Sequence, residues 1–172
     1  METLDAIAGL RVVRRYGPDG IEPGTLRRIV DAGRHAGSSK NLQRWAFITV
    51  QQRATLQRLS EVGPWAGHLA GAAAAVALIT PTIRPGDPLS IMWDLGRAAQ
   101  NMALAAWALG IGSCPVTVYE QPLIHDILGL SDDRHGEFLL GLGLPADPDD
   151  LGRPPRAGGR VSMEDILHDE RW

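Results

Sequence analysis

Between Leu89 and Leu109, apolar residues recur at alternating spacings of four and three: Ile91, Leu95, Ala98, Met102, Ala105 and Leu109. That period is one face of an α-helix. Ala99, Ala103 and Ala106 add a second stripe of small residues. A helix that is apolar on two faces is covered on two sides, either within a domain or across a subunit interface. Gly110 stands where a C-terminal cap belongs. The rest of the fold must supply partners for this helix.

The flanking sequence offers strands and further helices. Residues 2–9 suit a short helix. Residues 23–35 read as a helix with Pro23 in its first turn and Leu26, Ile29, Val30 and Gly33 on one face. AFITV (46–50) is a short β-branched run that suits a buried strand, and 53–62 is amphipathic. Residues 65–73 are helix-like and 74–80 strand-like. Pro81 and Pro85 to Pro88 mark a loop. GSCPVTV (112–118) is strand-like but broken by Pro115, 121–129 forms a short helix, and GEFLLGLGLP (136–145) is a further strand. The 145–160 stretch, rich in Pro, Gly, Asp and Arg, is a surface arm. Ser162 and Asp165 begin the tail with a capping-box pattern. Strands and helices alternate without a repeat, which points to α/β or α+β layers over one sheet. The 172 residues suit one domain.

Composition excludes some functions. A net charge of −3 does not suit a nucleic-acid partner, which needs a basic face to replace phosphate counterions. The most apolar stretch, Leu69 to Ile79, is shorter than the roughly 20 residues that span a bilayer. The N-terminus lacks the pattern of a secretory signal, so a cytoplasmic location is the default expectation. Cys114 is the only cysteine, so an intrachain disulfide has no partner. Lys40 is the only lysine, and arginine supplies the remaining positive charge.

Among candidate sites, AGSSKNLQRW (36–45) is the most concentrated. Ser38, Ser39, Lys40, Asn41 and Gln43 offer hydroxyl, ammonium and carboxamide donors at a helix-to-strand junction. Such residues also cap and turn ordinary loops, so both readings stay open on spacing alone. His35, His68, His125, His135 and His168 are scattered, and no serine sits in a nucleophile elbow. His35 reads as a solvated helix end and Cys114 as a packing residue of an apolar strand. No metal-binding motif is present, and the acidic run Asp147, Asp149 and Asp150 reads as solvated loop. Arg11 and Arg14, three apart, can converge on one anion if the segment is helical or tightly turned, since guanidinium matches phosphate in a bidentate fashion. Arg160 follows the arm as a further cation.

Taken in order, RVVRRY, AGSSKNLQRW, DLGRAAQNMALAAWALGIGSCPV, LLGLGLPAD and RVSMEDILHDERW resemble the FMN-dependent nitroreductase family over nearly the whole chain. The resemblance implies one α+β domain over residues 1–172, with a central, mostly antiparallel sheet flanked by helices. It implies an intertwined homodimer with flavin at the subunit interface. Arg11 and Arg14 match positions that bind the FMN phosphate, and Arg160 a late basic residue that reaches it. Ser38, Ser39 and Asn41 match the loop that the partner subunit lays over the flavin, with Gln43 following in that motif. Cys114, Pro115, Val116 and Thr117 match the strand beside the isoalloxazine. The implied activity is hydride transfer from NADH or NADPH through flavin to a nitroaromatic, quinone or related small-molecule acceptor. The flavin then carries the chemistry, and no catalytic side chain or metal is required. Two alternatives on the same scaffold are an FMN-dependent dehydrogenase of a peptide-derived or ring substrate and a flavin-binding or regulatory protein without turnover.

The chain also departs from the family pattern. Leu10 and Val12 stand where the family has an arginine and a serine, which removes two phosphate contacts. Arg15 or Arg156 are candidates to replace them. Gly37 and Arg44 stand where the family has prolines, and the 81–90 region is short. The family's contacts to the flavin pyrimidine carbonyls find no match in the sequence.

Overall fold

The computed structural model describes residues 3–155 and 157–172. Four strands form one antiparallel sheet in the order β1-β2-β4-β3: β1 Ala46–Val50, β2 Ala74–Pro81, β3 Gly112–Thr117 and β4 Arg134–Gly143. The helices are α1 Thr3–Gly9, α2 Pro23–Arg34, α3 Arg53–Leu59, α4 Ser90–Ala108, α5 Gln121–Leu128 and α6 Met163–Ile166. Short 3₁₀ turns occupy Ser39–Asn41, Gly67–Gly71 and Pro148–Leu151. The α+β fold expected from the sequence is therefore present.

β2 shows why the architecture is layered. It reads Ala-Ala-Val-Ala-Leu-Ile-Thr-Pro, and all but its last residue are buried. A continuous apolar run of this kind belongs to a strand covered on both faces. Ala75, Ala77 and Ile79 face Leu56 and Leu59 of α3 and Ile124 of α5. Ala74, Val76 and Leu78 face Leu26 and Ile29 of α2 and Leu95, Met102 and Ala106 of α4.

The long helix is where its periodicity places it. Ala98, Met102, Ala103 and Ala106 are all buried within this chain, and the Asn101 side chain donates to the Ala32 carbonyl (3.2 Å). Coverage of both apolar stripes thus comes largely from the chain's own sheet and α2. Leu89 and Trp93, 89% and 72% exposed, project from the outer surface at the N-terminal end.

Some expectations need correcting. α3 ends at Leu59, short of residue 62, because Ser60 to Pro64 turn the chain. Residues 65–73 contain a 3₁₀ turn and no α-helix. Pro115 does not break β3; this is an edge strand, where a missing N–H is tolerated. Residues Thr3–Gly9 are helical as expected, while Glu2 lies outside the described residues. Ser162 caps α6 by accepting the Asp165 N–H (3.2 Å).

The segment before α2 is laid across the sheet over a glycine trough. Val12 bridges Ser113 in parallel, and the Val13 N–H donates to the Ser113 carbonyl (2.9 Å). A Cβ on Gly112 would come within 2.6 Å of the Val13 Cβ, and one on Gly143 within 2.7 Å of the Tyr16 ring. The paired glycines of β3 and β4 thus let Val13 and Tyr16 lie against the sheet backbone.

Candidate functional site

With Val13 and Tyr16 seated over the trough, Arg14 faces a cleft of about 480 Å³ that it lines with Pro64, Trp65, Gly67 and His68. Trp65 is 77% exposed there. Arg14 has no carboxylate partner among the described residues. Its neighbours are uncharged. Burial pushes the Cys114 thiol up, with the adjacent Arg14 guanidinium pulling the other way. Burial raises Tyr16 far above the ordinary phenol value. Burial also lowers His68, whose Nδ1 donates to the Trp65 carbonyl (3.1 Å). That bond leaves Nε2 as an acceptor. His68 Nε2 and Tyr16 Oη are both buried without a hydrogen-bond partner, and both lie about 3.3 Å or less from where a Gly141 Cβ would sit. Arg14 is therefore an exposed cation without a carboxylate, close to the neutral side chains of Tyr16, His68 and Cys114, which suits an anionic or electron-rich ligand.

β3 runs beside it. Cys114 is 1% exposed and Val116 is buried in the core on the α3 and α5 side. Pro115 and Thr117 alternate outward and are exposed. Cys114 is thus a packing residue in its side chain, as the sequence suggests, while the neighbouring edge positions stay open to a ligand.

The polar loop is held elsewhere, on the N-terminal half of α4. The Ser39 N–H donates to Asp94 Oδ2 (2.8 Å), and Gly37 lies against Arg97, where a Cβ would fall 2.6 Å from Nη2. Within the loop the Gln43 N–H donates to Ser38 Oγ (3.1 Å) and the Gln43 carboxamide to Asn41 Oδ1 (3.1 Å). Lys40, Asn41 and Gln43 all have positive φ, at 50°, 53° and 47°. Left-handed backbone costs a non-glycine residue about 1 kcal/mol or more. Three such residues in four positions make this a strained, locally hydrogen-bonded loop, unlike an ordinary helix cap.

The predicted residues therefore fall into separate groups. Arg14 and Cys114 come together at the cleft. Ser38, Ser39, Asn41 and Gln43 form the loop on α4 and line no part of that cleft. Arg11 turns away from Arg14: its Nε donates to the Arg153 carbonyl (2.8 Å) and its Nη1 to the carbonyls of Ala8 (2.7 Å) and Leu10 (3.0 Å). Arg160 is exposed in the tail. Arg15 lies 3.7 Å from Asp150, and Arg156 is outside the described residues. His35 is a solvated helix end paired with Asp31 (3.3 Å), as expected.

One expectation fails. Asp150 is buried, not solvated, because Arg153 (3.1 Å) and Arg15 enclose it. Sequence reasoning also passed over Asp94, Trp65, His68 and Arg153 as functional residues. Asp94 left a signal, since an acid set between Ile91 and Leu95 falls beside the core-facing stripe. No local pattern marks the others.

A larger groove of about 750 Å³ lies between α2 and the free edge of β1, lined by Val30, Trp45 and Phe47 among others; no predicted cofactor residue lines it. Among the described residues no three His, Cys, Asp or Glu side chains cluster as a metal site, and no helix is long and apolar enough to cross a membrane.

Comparison with known proteins agrees with the fold. The Nitroreductase family model matches residues 7–63 and 62–144. A protein of Archaeoglobus fulgidus provisionally named NADH dehydrogenase/NAD(P)H nitroreductase is 30% identical over 177 residues, covering 99% of each chain. A solved structure of a similarly named protein from Parabacteroides distasonis superimposes with a TM-score of 0.85 at 26% identity, over 99% of this chain and 98% of that one. A protein from Desulfovibrio desulfuricans provisionally described as a nitroreductase, solved in complex with FMN, shares the fold with a TM-score of 0.83 at 22% identity, over 100% of this chain and 99% of that one. The chain belongs to the nitroreductase family and is an oxidoreductase.

Proposed function

We propose that residues 1–172 form one FMN-binding domain that passes reducing equivalents from NADH or NADPH to a nitroaromatic, quinone or related small-molecule acceptor. FMN supplies the hydride-accepting chemistry when bound, and the protein's part is to bind, orient and electrostatically tune it. The observation that carries this reading is Arg14: a cation without a carboxylate, beside the open edge of β3, in a cleft whose other polar groups are neutral. Such a guanidinium favours a ligand that becomes more negative on reduction. Exposed Pro115 and Thr117 leave room for a flat ring along the strand.

The second half of the site is the strained loop Ser38 to Gln43. In one chain it sits on α4 and lines no part of the Arg14 cleft. A second copy of the chain supplies a loop to each cleft in the reading we favour. The exposed Leu89, just before α4, and Trp93, in its first turn, support it, as do Val161, Met163, Ile166 and Leu167 of the tail, all apolar and exposed. Light scattering on the purified protein checks the homodimer; a monomer at micromolar concentration contradicts it.

The test of the activity is anaerobic mixing of the FMN-loaded protein with NADH and, separately, NADPH. Loss of the flavin absorbance with at least one donor is expected. Retention of the oxidised spectrum with both would favour the alternative flavin-dependent dehydrogenase or a non-catalytic flavoprotein.

A further inference from the structure

The arm after β4 returns to the N-terminal segment and builds a second cationic cluster, separate from the Arg14 cleft. Arg153 donates from Nη2 to the Val12 carbonyl (2.6 Å) and from Nη1 to Asp150 Oδ1 (3.1 Å). Its own carbonyl accepts Nε of Arg11 (2.8 Å). Arg15 Nη2 approaches the other Asp150 oxygen at 3.7 Å. Arg11 has no carboxylate partner among the described residues. Arg15 and Arg153 thus share the Asp150 carboxylate and Arg11 contacts none; among the described residues the exposed Asp147 and Asp149 of the same turn pair with none of the three, so guanidiniums are in excess over the carboxylate they contact. A phosphate monoester, with a charge of about −1.5 to −2 near neutral pH, complements that excess.

The donor count agrees. A guanidinium carries five N–H groups, and the two bonds of Arg153 leave the Nε–H and one hydrogen on each terminal nitrogen unused. The side chain is 44% exposed, so these donors are accessible. Asp150 holds the fork in one orientation, which lowers the entropy lost on binding. The place matters too. The fork is anchored on Val12 itself, one of two positions that lack the polar side chain the family pattern has; the other is Leu10.

We infer that Arg153 is a phosphate-binding residue of this chain, taking over the contact that Leu10 and Val12 do not make. The inference rests on the FMN reading above. In this arrangement Arg153 contributes to selectivity for FMN over riboflavin, which has the same ring and ribityl chain without the phosphate.

The experiment is titration of FMN and of riboflavin, by flavin fluorescence, into the full-length wild type, Arg153→Gln and Arg153→Lys, with a thermal melt of each. Arg153→Gln is expected to weaken FMN about tenfold, as for loss of a charge-assisted hydrogen bond, and to leave riboflavin unchanged. Arg153→Lys, which keeps the charge but not the fork, is expected to lose less, again for FMN alone. Equal loss of both ligands, or no loss of FMN, overturns the inference, because a purely structural latch would affect both flavins alike. If Arg153→Gln does not fold, the lysine variant decides by the same comparison. A wild type that binds riboflavin as tightly as FMN overturns the inference and leaves flavin binding intact. A wild type that binds neither overturns the FMN reading itself.

Discussion

The Ser39 N–H and the Asp94 carboxylate, 2.8 Å apart, fasten the polar loop to the central helix. Asp94 is buried, and its other oxygen lies 4.0 Å from Arg97. A hydrogen bond to a charged group contributes about 1.5–3 kcal/mol. Asp94→Ala should therefore free the loop and lower stability by an amount of that order. Lys40, the chain's only lysine, gives a direct readout, since a lysine-specific protease has a single target. Cleavage there should accelerate in Asp94→Ala. Unchanged cleavage would mean that the loop is held by other contacts.

Strain in the same loop makes a prediction of opposite sign. Lys40 adopts φ 50° and ψ 24°. Glycine occupies this region without the side-chain penalty, so Lys40→Gly should stabilise the folded state by about 1 kcal/mol or less. Denaturant unfolding measures it. A destabilised variant would show that the Lys40 side chain makes a compensating contact.

Gly112 tests the seating of the N-terminal segment. Its Cβ would fall 2.6, 2.8 and 2.9 Å from three carbons of Val13, a β-branched side chain with little rotamer freedom. Gly112→Ala should push the segment off β3 and cost about 1–3 kcal/mol, the usual range for overpacking. Because Arg14 follows Val13, FMN affinity should fall with the melting temperature. A variant as stable as wild type would contradict the close approach.

His68 gives a pH dependence. Burial lowers its pKa below the ordinary 6.5, so the unfolded chain takes up the proton first as pH falls. The stability present above pH 6.5 is then lost between that value and the lowered folded-state pKa. Carboxylates lowered in the fold, Asp31 by its bond to Arg34 and Asp133 by its bond to Ser131, lose their contribution as pH falls through 3.8, below the range compared next. Between about pH 7.5 and pH 5, wild type should lose more stability than His68→Gln. Parallel pH profiles of the two proteins would contradict the assignment.

The outline of the fold was legible in the sequence because its signals are local. The stripe from Ile91 to Leu109 fixed α4 to within a residue at each end, and AFITV gave the span of β1 directly. Where the outcome depended on neighbours, local pattern was insufficient. Pro115 looked like a breaker because the sequence does not say which strand lies at the sheet edge. Asp150 looked solvated because its partners, Arg15 and Arg153, are brought to it only by the folded arm. Arg11 and Arg14 looked like a pair because they are three apart. The segment is extended, with Val12 bridged to Ser113, and successive side chains diverge. Arg14 meets Cys114 and His68 from far along the chain, and Arg11 meets Arg153.

FMN binding and the part Arg14 plays in it are the centre of the proposed function. Titrating FMN into the purified wild type and Arg14→Ala, with flavin fluorescence as readout, tests both. Wild type should bind saturably at micromolar FMN or below, and Arg14→Ala should weaken that binding by about 1.5–3 kcal/mol. No binding by wild type at micromolar FMN, or equal affinity in the two proteins, would contradict this reading.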